Sequence, residues 1–512
     1  MIVWWLVLLS ILTYVAIRKS VAQITRTPVW LLWLVMMAPV VLWLVWVALF
    51  KNTVPIPPFL LLGTFLVCPL IYLGLIQMGR RSPNASEKSA SSVSSTSSMS
   101  SMEPSKPSIT SDSSSSETSK RPLDREDEDL LKRCFPWSVY YLKGIELRAQ
   151  ALICTGHLRT SSDVAYQTIS ENVRQNFGQR FLVIFQQGLN GKPFFALVPN
   201  PQANVGQTTS GKASTLFPLL ISFLLLVATI VTTTVAGAML ASQDLETLLP
   251  LTWESLSPGV PYCVSLVAIL LVYHGSQYLI SKRHGLKTSL PYFIPVPPLV
   301  LGFPFGTFGA FLQMRSPMPN RKVLFDMGFV GSMAGIVLTI PLLLWGLGHS
   351  EVIPSTEQSS LFNIQSFDPK SSFLIAILGK LAIHDLGLSQ ALNLHPVAIA
   401  ACLGLLIATI NLMPVGQLNG GKIVHAMFGQ RTGAIIGQLA RLIVLLLAYI
   451  HRDQREFWIL AILFFFMPSV DEPALNDVSE LDNQRDLWGI VALTLLTLII
   501  LPAPPLLTQF FF

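Results

Sequence analysis

Two polar clusters interrupt apolar stretches of this sequence, and both contain residues that could do chemistry. The first, VYHGSQY, contains His274, and the second, NLMPVGQLNGG, contains Asn411 and Asn419. Positions 274 and 278 are one helical turn apart, so their side chains share a helix face. Polar groups inside membrane helices are costly and therefore mark functional sites. We expect the chemistry of the chain to lie in these two segments.

Composition places most of the chain in a membrane. Of its 512 residues, 51% are hydrophobic and 12% are charged, whereas a soluble chain has about 25% charged residues. The mean hydropathy is +0.56. This excludes a soluble enzyme and a disordered protein, and the net charge of +6 is too small for a nucleic-acid binder. The five cysteines are scattered without a CxxC, which gives neither a disulfide framework nor a zinc ribbon.

The sequence predicts a polytopic α-helical membrane protein with about ten spans, a re-entrant loop and a small α+β soluble domain. The loop is expected at 292–314, where an apolar stretch is too rich in Pro and Gly for a lipid-facing helix. Five parts follow: an N-terminal three-helix membrane segment at 1–79, a disordered Ser-rich linker at 80–122, the soluble domain at 123–200, a membrane core at 201–450 and C-terminal membrane helices at 451–512.

Three stretches resemble the site-2 protease family, the intramembrane zinc metalloproteases of peptidase family M50. The block from YHGSQYLISKRHG to MRSPMPNRKVLFD resembles the family core, and HPVAIAACLGLLIATINLMPVGQLNGGKIVHAMFGQRTG resembles its second metal region. The stretch from CFPWSVYYL to KPFFALVPNP is similar to the domain that precedes the core in the cyanobacterial and chloroplast branch, the ethylene-dependent gravitropism-deficient and yellow-green type. The resemblance covers roughly 123–450.

The resemblance implies a metal site whose residues are largely replaced here. The family uses HExxH on one helix and NxxPxxxxDG on another, with two His and one Asp as zinc ligands and Glu as general base. In this sequence His274 keeps the first ligand position, but Gly275 stands at the general-base position, Tyr278 at the second ligand position and Asn419 at the third. Lys422 stands where the branch usually has His.

These replacements predict that no catalytic residue is intact and that neither a metal nor another cofactor is bound. Catalytic zinc normally needs three protein ligands, carboxamides are poor ligands, and a tyrosine would have to ionise from a pKa near 10. Loss of the general base alone removes about 10²–10⁴ in rate. His384–Asp385 and His395 could be imagined as replacement ligands, but a turn-capping or helix-end role is the preferred interpretation.

We therefore expect a site-2-protease-like pseudoprotease that binds or regulates other membrane proteins. Expected partners are clients with single transmembrane helices and an active homologous protease, and no nucleic acid. The expected location is the plasma or thylakoid membrane of a cyanobacterium, or a chloroplast membrane. The resemblance places the substrate groove at Gly306, Phe308, Gly309, Phe311, Asn411 and Pro414.

Two alternatives stay open. One is an active zinc-dependent metalloendopeptidase with an atypical site, in which case zinc is the cofactor. The other is a carrier of a small ligand in the old active-site cavity.

Overall fold

A computed structural model describes most of the chain from residue 125 onward. The described ranges are 125–148, 151–188, 191–200, 216–242, 252–298, 305–354, 367–369, 372–383, 390–450, 455–468 and 471–501, with scattered positions between 30 and 37. The chain divides into two units, Met1–Thr118 and Ser119–Phe512, and the second unit contains all the elements below. Apart from those scattered positions, the predicted N-terminal helices lie outside the described residues, as do the linker and His384–Asp385.

At the start of the second unit, two helices and four strands between Arg125 and Pro199 form a smaller assembly, which we call the α+β unit. Its elements are α1 (Arg125–Arg133), β1 (Tyr140–Arg148), β2 (Ala151–Leu158), α2 (Ser162–Phe177), β3 (Phe181–Gln187) and β4 (Pro193–Pro199). The four strands form one antiparallel sheet in the order β1-β2-β4-β3. Alternate residues of β2 and β3 are buried, as expected for strands with one face on a core.

Aromatic side chains fill the core of this α+β unit. Phe185 and Phe195 stack with ring centroids 4.1 Å apart, and the hydroxyl of Tyr140 donates to the carbonyl oxygens of Cys154 and Pro193 over 3.2 and 3.1 Å. All of these elements lie within 123–200, the stretch for which a soluble domain is predicted. That the unit is a soluble domain stays a prediction.

Helices make up most of the rest of the chain. They are α3 (Leu216–Ser242), α4 (Trp253–Leu256), α5 (Val260–Arg283), α6 (Arg321–Gly348), α7 (Phe373–Ala382), α8 (Pro396–Leu412), α9 (Asn419–Phe428), α10 (Gln430–Ile450), α11 (Arg455–Phe466) and α12 (Asn483–Ile500). A 3₁₀ turn at Ser257–Gly259 joins α4 to α5.

Four of these segments are long and apolar enough to cross a membrane. Among the described residues they are Pro218–Ala241, Trp253–Arg283, Arg321–Gly348 and Gln430–Ile450. The apolar helices α8 and α11 have 17 and 12 residues, fewer than the roughly 20 that a bilayer core requires. The structure thus supports a helical membrane protein, while the number of ten spans is not confirmed.

Helix α6 lies at the centre of the helical core and packs against α5, α8 and α9. Small residues on α6 permit close contact with α5. A Cβ atom added at Gly335 would lie 2.7 Å from the Tyr273 ring. Such small residues at helix contacts are typical of membrane proteins, because they let two backbones approach. This contact brings Tyr273 and its neighbours on α5 against the middle of α6.

The stretch predicted as a re-entrant loop contains a β-hairpin. Strands β5 (Tyr292–Pro295) and β6 (Thr307–Phe311) pair antiparallel, and residues 299–304 between them lie outside the description. Thr232 on α3 donates to the Gly306 carbonyl over 2.7 Å. Tyr262 on α5 donates to the Phe305 carbonyl over 2.9 Å. The hairpin is therefore anchored on α3 and α5. A second antiparallel pair joins β7 (Glu351–Pro354) to β8 (Gln390–Asn393), which are separated in the sequence by α7.

Candidate functional site

His274 lies on α5 with only 6% of its surface exposed. Its ring packs edge-on against the ring of Tyr273, with centroids 4.6 Å apart. Among the described residues, its Nδ1 atom has no hydrogen-bond partner. The next position is open, because a Cβ atom at Gly275 would have no neighbouring atom within 4 Å. The space for a larger side chain at the general-base position is therefore present, but the side chain is not.

Tyr278 lies one turn after His274 and is half-buried. The ammonium group of Lys282 lies 5.4 Å from the centroid of its ring, a spacing at which a cation is attracted to an aromatic face. The phenol ring thus packs against a side chain on its own helix.

Asn419, at the start of α9, connects three helices through its carboxamide. Its Nδ2 donates to the hydroxyl of Tyr273 on α5 over 2.5 Å and to the hydroxyl of Ser332 on α6 over 3.0 Å. Its Oδ1 accepts from Nε2 of Gln277 on α5 over 3.2 Å. An asparagine side chain has two N–H donors, and both are in use. All four residues are buried.

The structure therefore brings together side chains that the sequence did not single out. Gln277 occupies the position before Tyr278, where the motif allows any residue, so its identity carried no signal. Tyr273 precedes the motif, and its adjacency to His274 was the only available indication. Ser332 lies in a stretch of small residues on α6, and nothing in the sequence connects it with Asn419.

This cluster is neutral and hydrogen-bonded. It contains hydroxyls, carboxamides and one imidazole, but no carboxylate that could serve as a general base. Among the described residues, no group of three or more His, Cys, Asp and Glu side chains is placed to hold a metal ion. The family ligand positions present one imidazole, one phenol and one carboxamide, which does not match the usual three-ligand zinc set.

The predicted groove residues fall into two places. Phe308 and Phe311 are about half exposed on β6 at 53% and 51%, with Gly309 between them at φ +96°. Gly306 is buried, and a Cβ atom there would lie 2.6 Å from the Thr232 carbonyl oxygen of α3. These four residues belong to the hairpin.

The other two groove residues lie at the end of α8. Asn411 donates from Nδ2 to the Ile407 carbonyl of its own helix over 2.9 Å, and Pro414 lies in the turn that leads to Asn419. Asn411 and Pro414 therefore lie where the chain leaves α8 and leads to α9.

His395, one of the imagined replacement ligands, lies at the N-terminus of α8. The Nδ1 of His395 accepts from the Val397 amide over 3.2 Å and caps α8, which confirms its predicted helix-end role.

Lys422 on α9 interacts electrostatically with Asp471 and Glu472. Burial raises the pKa of the Asp471 carboxyl, against the opposing effect of Lys422 and His425. The lysine next to the site therefore has acidic partners within the protein.

Comparison with known proteins identifies the helical core. The family model described as Peptidase family M50 matches residues 263–450, which include His274, Gly275, Tyr278 and Asn419. No solved structure matches the chain significantly.

Several chloroplast proteins are similar to the chain over much of its length. "Probable zinc metalloprotease EGY2, chloroplastic" of Oryza sativa subsp. indica is 27% identical over 384 residues, which cover 73% of this chain and 66% of that protein. "Probable zinc metallopeptidase EGY3, chloroplastic" of Arabidopsis thaliana is 26% identical over 71% of this chain and 63% of its own length. "Probable zinc metalloprotease EGY1, chloroplastic" of Arabidopsis thaliana is 29% identical over 51% and 45%. The chain thus spans just under two thirds of the length of the first of these relatives.

The comparisons correct one expectation. From the replaced ligand positions we expected no metal and no other cofactor. That expectation is wrong at the level of the family, because the relatives are named zinc metalloproteases and the M50 family uses zinc.

The resemblance seen in the sequence is confirmed by both comparisons. The matched region contains the two polar clusters, and the similarity to the chloroplast relatives extends over the α+β unit as well as the helices. The chain carries a Peptidase family M50 domain and is homologous to the chloroplast EGY zinc metalloproteases of the site-2 protease family.

Proposed function

We propose that this site-2-protease-like protein binds membrane-protein clients without cleaving them. The observation that carries the proposal is the bonding of Asn419. Its carboxamide joins α5, α6 and α9 through Tyr273, Ser332 and Gln277. A side chain that holds three helices together in this way acts as a structural link.

The general-base position supports the same proposal. Peptide hydrolysis needs a group that accepts a proton from the attacking water, and a positioned base contributes about 10²–10⁴ in rate. Gly275 provides no such group. The three residues bonded to Asn419 supply two hydroxyls and one carboxamide, which are not effective bases at neutral pH.

The hairpin offers a contact for clients. Phe308 and Phe311 each expose about half of their surface on one strand, 53% and 51%, and exposed apolar surface can mark an interaction site. A single transmembrane helix presents a matching apolar surface. The proposed clients are therefore membrane proteins with one spanning helix, and an active homologous protease is a further proposed partner.

The proposed location follows from the relatives and the helices. The names of the relatives carry the word chloroplastic, and the described residues include four apolar helices of spanning length. We propose a chloroplast or thylakoid membrane, or the corresponding cyanobacterial membrane.

Reconstitution with a single-span client tests the proposal. The purified chain is placed in vesicles with the client and with added zinc, next to a related protein that retains HExxH. We expect the related protein to release client fragments, detected by mass spectrometry, and this chain to retain intact client in pull-down. Client fragments produced by this chain and abolished by a chelator would refute the proposal.

One observation favours an active enzyme as the second candidate. His274 keeps the first ligand position, and among the described residues its Nδ1 has no hydrogen-bond partner although the residue is buried. Buried polar atoms are usually paired, so an orphan nitrogen is a feature that a ligand would explain. Chelator-sensitive zinc together with cleavage in the reconstituted system would establish this candidate.

A further inference from the structure

The segment between α11 and α12 contacts both the α+β unit and the helical core. We name residues 471–481 the clasp. On the sheet side, the Phe185 amide of β3 donates to the Leu475 carbonyl over 2.7 Å, and the Asp477 amide donates to the Phe185 carbonyl over 2.9 Å. The clasp thus pairs with the edge of β3.

The same few residues bond to the segment that leads into α6. The Leu475 amide donates to the Met318 carbonyl over 2.8 Å, and the Asn476 amide donates to the Pro319 carbonyl over 3.0 Å. Asn476 forms a parallel bridge with Phe185 on one side and with Asn320 on the other. Residues 475–477 therefore act as a short strand shared by the sheet and the core.

Side chains from α2 add to the sheet-side contact. Nδ2 of Asn476 lies 3.4 Å from Oδ1 of Asp163, and the hydroxyls of Ser479 and Ser162 are 3.2 Å apart. The Asn476 side chain also donates to the Ser479 hydroxyl over 2.7 Å. The first turn of α2 is thereby bonded to the clasp.

The carboxylate of Asp477 connects the clasp to two helices of the core. Its Oδ1 accepts from Nε of Arg321, the first residue of α6, over 3.2 Å. The same atom lies 2.9 Å from Nε2 of His425 on α9. Arg321 also packs against the end of α9, because a Cβ atom at Gly429 would lie 2.5 Å from its guanidinium. Removing one member of such a buried charged cluster is strongly destabilising.

Helix α9 starts at Asn419, so the clasp and the polar site share one rigid element of ten residues. Its first residue bonds Tyr273, Gln277 and Ser332, and its seventh, His425, contacts Asp477. Packed helices and hydrogen-bond networks carry energetic coupling between sites. Helix α9 is therefore a direct physical connection between the clasp and the polar site.

We propose that the clasp couples the α+β unit to the polar site. The α+β unit contacts residues 475–479. Asp477 in the same stretch contacts His425 of α9, the helix that begins at Asn419. A protein partner that lifts the unit from the clasp loosens α9, and a disturbance of α9 weakens the seat of the unit. The coupling holds whether or not the site cleaves peptides.

Hydrogen exchange of the full-length protein in detergent, followed by mass spectrometry, tests the coupling from the sheet side. The double substitution Ser162→Ala, Asp163→Ala removes contacts of α2 with the clasp and leaves α9 untouched. We expect exchange to accelerate about tenfold in peptides of β3 and also of α9, as two lost hydrogen bonds imply. The matched control is Glu171→Ala on the same helix, where Glu171 bonds Gln175, and α9 should be unchanged.

Asp477→Asn tests the coupling from the core side. We expect faster exchange in α9 and in β3, whereas Asp482→Asn, which disturbs the nearby pair of Asp482 with Arg485, leaves both as they were. Faster exchange confined to β3 in the α2 variant, or confined to α9 in Asp477→Asn, would overturn the proposal. If Asp477→Asn fails to fold, the α2 variant decides the question alone.

Discussion

Gln277 donates its Nε2 hydrogen to Oδ1 of Asn419 across 3.2 Å. Gln277 stands beside Tyr278 at the second family ligand position and Asn419 stands at the third, so the two helices that carry these positions are joined by a pair of neutral carboxamides. In a buried setting such a pair costs far less than an unpaired carboxylate. Asn419 therefore links the helices that carry the family ligand positions.

Replacing Asn419 by alanine should lower the free energy of unfolding. Asn419→Ala leaves Tyr273, Ser332 and Gln277 without their shared partner, and each buried group left unpaired costs about 1–3 kcal/mol. We expect the free energy of unfolding in detergent to fall by about 2 kcal/mol or more. Asn411→Ala is the control, since Asn411 bonds only its own helix in the described contacts. Equal losses for the two variants would contradict the assigned role of Asn419.

The two glycine positions beside the site should respond in opposite ways to alanine. A Cβ atom at Gly275 meets no atom within 4 Å, so Gly275→Ala should stabilise α5 by about 0.5–1 kcal/mol. A Cβ atom at Gly420 would collide with the Leu412 carbonyl oxygen, so Gly420→Ala should be strongly destabilising. Thermal unfolding followed by circular dichroism distinguishes them, and a destabilised Gly275→Ala would show that the open space is filled.

Restoring the family side chains should increase zinc uptake. In the variant Gly275→Glu, Tyr278→His, Asn419→Asp, three ligands are again available, so about one zinc per chain is expected. Tyr273, Ser332 and Gln277 already surround position 419 with donors that a carboxylate can accept. Lys422→His is added because a nearby cation opposes zinc binding. Metal analysis after dialysis should show more zinc than in the unmodified chain, and equal contents would mean that the local geometry differs from the family.

Charge on the hairpin should abolish client binding. Phe308→Lys and Phe311→Lys place an ammonium on a surface that we propose to contact a membrane helix, where a charge costs roughly 2.5–3.5 kcal/mol. We expect co-purification of single-span clients to fall below detection, while Phe308→Leu and Phe311→Leu retain it. A client set that is unaffected by the lysine substitutions would place the contact elsewhere.

Alkaline pH should destabilise the α+β unit. Burial raises the pKa of Cys154 to about 12 and that of Tyr166 to about 12, whereas an unfolded thiol ionises near 8.5. Because these folded-state pKa values are raised, the neutral groups favour the folded state at neutral pH, and that stability is lost as the pH rises from about 9 towards 12. Denaturant titrations at pH 7 and 10 should show the loss, and Cys154→Ala should reduce it.

Sequence patterns predicted the parts of the fold that depend on local periodicity. Apolar stretches of spanning length predicted membrane helices, and the described residues contain four helices of that kind. The hairpin at Thr307–Phe311 was predicted only as an irregular loop, because short strands rich in Pro and Gly have no clear period. The number of ten spans is not confirmed, because apolar helices such as α11, with 12 residues, are shorter than a bilayer core requires.

The position of the site could be predicted from its motif, but the hydrogen-bond partners of its residues could not. His274 and Asn419 were found because the motif spacing is preserved, whereas Ser332 became part of the site only through the packing of α6 on α5. The contact of Asn476 with Asp163 joins residues 313 positions apart, and no local pattern contains it. The expectation of no cofactor failed for a different reason, since side-chain identity at three positions says less about a family than the whole aligned region.

The distance along the chain between β3 and the clasp has a consequence for synthesis. At roughly 5–20 residues per second, the ribosome needs about 15–60 s to make the 291 residues that lead from Phe185 of β3 to its partner Asn476 (476 − 185). During that interval the edge of β3 lacks the strand that finally covers it, and uncovered edges invite pairing with other chains. The nascent α+β unit is thus exposed to aggregation until the clasp has been translated, and a chaperone that shields this edge would shorten its exposure.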